Sequence, residues 1–168
     1  MRFLYLFSVW LHVVAAIIWI GGALFLALVL VPATRQAAYR GIAPALIQWS
    51  GARFRSISWV CLATLLLSGI CNLAYRGFGW ADLWSGQLWQ GPFGRTLGIK
   101  LLLVALILLL SAVHDFVIGP QARERWQADA TAAETLRLRR RASWFGRINL
   151  LLALIVTALG VTLVRGGI

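Results

Sequence analysis

The sequence predicts an all-α integral membrane protein: a four-helix bundle made of two helical hairpins in parallel repeat. Three observations predict it. First, residues of the hydrophobic set AVILMFWYC fill 61% of the 168-residue chain and charged residues only 12%, with a mean hydropathy of +0.82. A chain folded in water needs far more polar surface than that. Second, the apolar residues gather into four runs, each near or above the roughly 18–20 residues that carry a helix across a bilayer. Third, the arginines sort to one side of those runs. Lone strands are excluded, because lipid cannot satisfy an open sheet edge.

The expected helices cover about 4–31, 56–76, 96–119 and 144–165, within one domain, 1–168. The first run follows Arg2 and stays apolar to Val31. That is far beyond a secretory core of roughly 7–15 residues, so it is expected to remain as a helix. It should end at Val31-Pro32, as the third should end at Gly119-Pro120, because proline cannot continue the hydrogen-bond ladder. The second and fourth helices are preceded by Arg53-Phe54-Arg55 and by Trp144-Phe145-Gly146-Arg147. The prolines coincide when the chain is shifted by 88 residues, and each following helix has its own basic approach, an internal repeat of a kind common in membrane folds.

The outer loop, 77–95, carries Trp80, Trp84 and Trp89. Trp80 and Trp84 would share one face of a short amphipathic helix lying in the headgroup layer. The basic connection, 120–143, contains Thr131 and Glu134 in capping-box spacing. The fourth helix is therefore expected to begin in the cytoplasm and enter the membrane near Trp144.

Charge sets the orientation. The connections Pro32–Ser56 and Pro120–Arg147 hold 11 of the 16 basic residues. The positive-inside rule places those connections in the cytoplasm and both termini outside, in the periplasm of a bacterial inner membrane. The net charge of +11 thus reads as topology and as attraction to anionic membrane lipid. No basic-aromatic groove points to nucleic acid. Cys61 and Cys71 stand ten residues apart on one helix, about 15 Å of rise, too far for a disulfide.

Ionisable residues inside a span are costly, so each is a functional hypothesis. His12, Lys100 and His114 are the principal ones, with Asp115 directly after His114. Helices 1 and 3 run in the same direction, which puts His12 and His114 roughly 18 Å apart in depth. One haem iron cannot take both within a monomer. The repeat pairs His12 with Lys100 instead, each twenty residues before its proline. An outer layer of His12, Asn72 and Lys100 and an inner layer of His114, Asp115 and Asn149 result. Cys61, Thr64, Ser68 and Asn72 form one stripe of helix 2, and His12, Ala16, Trp19 and Ala23 one of helix 1. Small and hydroxyl residues in such stripes let membrane helices approach closely.

The stretch from His12 through Trp19 to Gly21-Gly22 resembles the first helix of copper-resistance-D (CopD) family proteins. Gly94-Arg95 with Lys100, and the Leu67-Ser68-Gly69 end of helix 2, are similar to further parts of that family's pattern. The chain is also similar, more distantly, to HemJ-type protoporphyrinogen oxidases. These small haem b proteins have a histidine in the first helix and a lysine in the third. It differs from them in its outer loop and its glycine pair. The resemblance implies His12 as a haem or metal ligand and Lys100 as partner of a propionate or substrate carboxylate. Asn72 and Trp19 would complete the cofactor site, and His114 is a second metal-ligand candidate. Met1 is the only methionine, so a thioether relay for copper lacks ligands.

Three functions remain open from the sequence. The first is a CopD-like protein binding haem b or copper near its outer face. The second is a cofactor-free accessory subunit of a larger membrane complex, respiratory or photosynthetic, or a homo-oligomer. The third is a HemJ-like oxidase.

Overall fold

The computed structural model describes residues 2–39, 41–128 and 132–167, leaving aside the side chains of Trp80, Leu83, Arg123, Gln127 and Ala128. Its described residues form four helices long and apolar enough to cross a membrane: α1 (Arg2–Ala33), α2 (Ala43–Tyr75), α4 (Gly91–Trp126) and α5 (Ala133–Val164). A short helix, α3 (Trp80–Trp84), lies between α2 and α4. No strand occurs among the described residues. The protein is therefore a multi-pass membrane protein of the all-α class.

α1 packs chiefly on α2, and α4 chiefly on α5, so each half of the chain is an antiparallel hairpin. All four spans meet in a central cluster that includes Trp19, Cys61, Ile107 and Ala153. A smaller cluster of Leu88, Leu97 and Leu163 closes the end that carries the termini. Most large apolar side chains point outward instead, Leu28, Leu102 and Val164 among them. Bilayer, not water, is the solvent this surface suits.

The prolines do not end their helices, contrary to the sequence expectation. α1 passes through a π-helical turn, Leu26–Leu30, and continues over Pro32. α4 passes through a π-turn, Val113–Ile118, and continues over Pro120 as far as Ala128. The residue before each proline donates one position farther back than in an α-helix: Val31 N–H to the Leu26 carbonyl, Gly119 N–H to that of His114. A proline ring clashes with the carbonyl four residues earlier, and the wider turn moves that carbonyl aside. The 88-residue shift carries Leu26 to His114 and Leu30 to Ile118, so the repeat is also visible in the backbone.

Other boundaries move as well. α2 begins at Ala43 rather than near 56, with Pro44 in its first turn, where a missing N–H costs nothing. α4 begins at Gly91 rather than 96, also on a first-turn proline, Pro92. The basic connection is largely helical: α4 and α5 both extend into it and pack on each other there. Arg139 stacks on the Trp126 ring at 3.8 Å, and Thr135 is buried between the two extensions, donating to the Arg125 carbonyl at 3.3 Å. Thr131, proposed as a cap, lies outside the described residues. So does the Trp80 side chain, expected to share a face with Trp84; Trp84 itself is exposed.

Candidate functional site

The polar side chains of the bundle fall into two layers tied to α2. His12 contacts Ser68, and Asp115 contacts Trp59. Those α2 residues are nine positions apart, about 14 Å along the helix.

In the layer nearer the termini, His12 Nδ1 lies 2.8 Å from the Ser68 hydroxyl oxygen. That hydroxyl has a single proton, which it donates to the Thr64 carbonyl at 2.5 Å. Ser68 must therefore accept from His12, so Nδ1 carries the ring proton and a neutral imidazole presents the Nε2 lone pair. Ser8 adds a bond from α1 to the Ser68 carbonyl at 3.3 Å. The ring rests against Gly69, where a Cβ would come within 3.7 Å of Cε1.

Lys100 enters the same layer from α4. It is half-buried, and its Nζ lies against Gly160 of α5, 3.4 Å from where a Cβ would stand. Among the described residues no carboxylate pairs with it. It lies within electrostatic reach of both His12 and Arg76. Asn72 contributes an amide oxygen that is buried without a hydrogen-bond partner among the described residues. Arg76, at the end of α2, donates to the Leu163 carbonyl at 3.4 Å and stacks on Phe93. Trp19 stands elsewhere. It is buried in the central cluster, and its indole N–H donates to Ser58 at 2.7 Å.

The second layer gathers at the π-turn of α4. His114 Nδ1 is 2.9 Å from Asp115 Oδ1, and the other carboxylate oxygen accepts from Trp59 at 3.0 Å. Arg55 donates to the Asp115 carbonyl at 3.4 Å. Asn149 of α5 donates to Ser111 at 2.8 Å. Arg55, Ser111, His114, Asp115 and Asn149 border a cavity of about 160 Å³ between the four spans. Trp59 and Arg55 were not legible as partners of Asp115, since nothing in local spacing connects α2 to α4. Ser68 stood in the α2 stripe, but its role as acceptor depends on the rotamer.

The donor set limits what can bind. Among the described residues no group of three His, Cys, Asp or Glu is placed to hold a metal ion. Cys61 is buried and Cys71 is exposed, both as free thiols. His12 and His114 belong to different layers. The layer of His12 offers one imidazole nitrogen, one unpaired ammonium and one unpaired amide oxygen. That set fits a group needing an axial nitrogen and a cation for an acidic substituent. A closed copper site needs more protein ligands.

Comparison with known proteins agrees with the fold. The family described as copper resistance protein D matches residues 50–163. An uncharacterized protein of Aquifex aeolicus (strain VF5) is 30% identical over 167 residues, covering 99% of this chain and 97% of that protein. No solved structure matches. With most of its length matched, the chain belongs to the copper resistance protein D family.

Proposed function

We propose that this chain is a haem b-binding protein of the bacterial inner membrane, with His12 as axial ligand and Lys100 as partner of a propionate. One observation supports the reading: the relay from His12 through Ser68 to the Thr64 carbonyl, which orients the ring and puts its lone pair on Nε2. Histidine ligands are commonly fixed in this way, by a hydrogen bond to the far ring nitrogen. Lys100, without an anionic partner among the described residues, supplies the charge that a buried carboxylate needs. Gly69 and Gly160 let the His12 ring and the Lys100 ammonium lie close against the α2 and α5 backbones. When bound, haem would supply one-electron chemistry, tuned by the axial ligand and by burial. The family description names copper, but the donor set around His12 suits haem better, since a haem iron is held by one or two axial ligands.

The test is an optical spectrum and metal analysis of the purified protein. Haem binding predicts a Soret band that His12→Ala abolishes and Lys100→Met weakens. Copper without a Soret band would replace haem with copper. A colourless, metal-free protein would leave the accessory-subunit reading.

A further inference from the structure

The cavity at the π-turn of α4 serves no part in the His12 reading, yet it has the features of a binding site. Aromatic and aliphatic side chains form most of its wall, including Trp19, Phe54 and Phe145. Its charged and titratable lining groups are Arg55 from α2 and His114 and Asp115 from α4; α1 and α5 contribute none. Small-molecule sites have this composition: apolar walls with a few convergent polar groups.

Its polar end is ordered. Asp115 accepts from His114 on one oxygen and from Trp59 on the other. The carboxylate therefore holds a ring proton on Nδ1, which leaves Nε2 as the nitrogen able to accept. The mouth is marked by two glycines of the lining, Gly51 on α2 and Gly146 on α5. Both are exposed, and a Cβ on either would meet nothing within 4 Å. Gly51 stands two residues before Arg53, and Gly146 directly before Arg147. About 160 Å³ is well under the roughly 300–1,000 Å³ of drug-sized sites. It admits one substituted six-membered ring and no tetrapyrrole.

We propose that this cavity binds the ring of a lipid-soluble aromatic diol, a quinol head group, entering between Gly51 and Gly146 and donating a hydroxyl to His114 Nε2. The ring lies between apolar walls, as its chemistry requires. Nε2 gives the reduced form a hydrogen bond that the oxidised quinone, with carbonyls and no hydroxyl to donate, cannot make. The site is separate from the His12 layer and does not depend on what binds there.

The experiment uses the full-length protein in lipid nanodiscs, with 2,3-dimethoxy-5-methyl-1,4-hydroquinone under anaerobic reducing conditions and its oxidised form as comparison. Equilibrium dialysis against empty nanodiscs should show one saturable site per chain, with the quinol bound about tenfold more tightly than the quinone. His114→Phe should remove that preference. Gly51→Leu with Gly146→Leu, changes made in open space, should abolish saturable binding while the protein stays folded. Gly21→Leu, also in open space but remote from the cavity, should have no effect. Uptake no greater than in empty nanodiscs, or uptake equal in wild type and the Gly51/Gly146 variant, overturns the proposal.

Discussion

Ser68 has one hydroxyl proton, and the Thr64 carbonyl takes it. The orientation of His12 follows from that choice, so the variant that tests the site most finely leaves His12 untouched. Ser68→Ala should lower cofactor affinity by about 10–100-fold, the usual cost of losing a hydrogen bond behind a ligating histidine. Titration of haem into the stripped protein measures this, and Ser68→Thr should restore most of it. Unchanged affinity in Ser68→Ala would remove the relay from the argument. Trp19 predicts the opposite pattern. Trp19→Phe loses the bond to Ser58, worth about 0.6–1 kcal/mol between membrane helices. Tm should fall with no change in bound cofactor. Rarity made His12 and Lys100 conspicuous in the sequence, because few ionisable residues survive inside a span. Trp19 shares a helical stripe with His12, and the stripe alone gave no means of separating a core residue from a site residue.

Among the helices, glycines and prolines decide which contacts form. Gly21 and Gly22 look alike in the sequence, yet only Gly22 faces a neighbour. A Cβ there would press into the Phe54 ring of α2, while one at Gly21 meets nothing within 4 Å. Gly94 is more restricted still, since its Cβ would meet the backbone of Leu88 and Trp89, which cannot rotate away as a ring can. Thermal denaturation in detergent should therefore rank three variants. Gly21→Ala should be neutral or stabilising by up to about 1 kcal/mol, and Gly22→Ala destabilising by about 1–3 kcal/mol. Gly94→Ala should be the worst of the three. A different order would mean that the helices approach along other faces. Hydropathy made the four spans legible because lipid demands long apolar helices. It did not reveal that α1 and α4 pass over Pro32 and Pro120. Proline rules describe the α ladder, and here the ladder widens into a π-turn before each ring.

On the scale of the whole molecule, the charge asymmetry makes a prediction about orientation. The two basic connections share one end of the bundle, and the termini share the other. A C-terminal alkaline phosphatase fusion in a bacterial host should be active and a green fluorescent protein fusion dark; the reverse result would invert the topology. The repeat has a consequence for ancestry as well. His12 comes from one hairpin and Lys100 from the equivalent position of the other, and the fold brings them within electrostatic reach. Two identical hairpins associating as separate chains would place the same residue at both positions, either two imidazoles or two ammonium groups. Two ammonium groups would repel, and two imidazoles would leave an acidic ligand without a cation. A single chain that carries both hairpins is free of that identity, so one position can hold an imidazole and the other an amine.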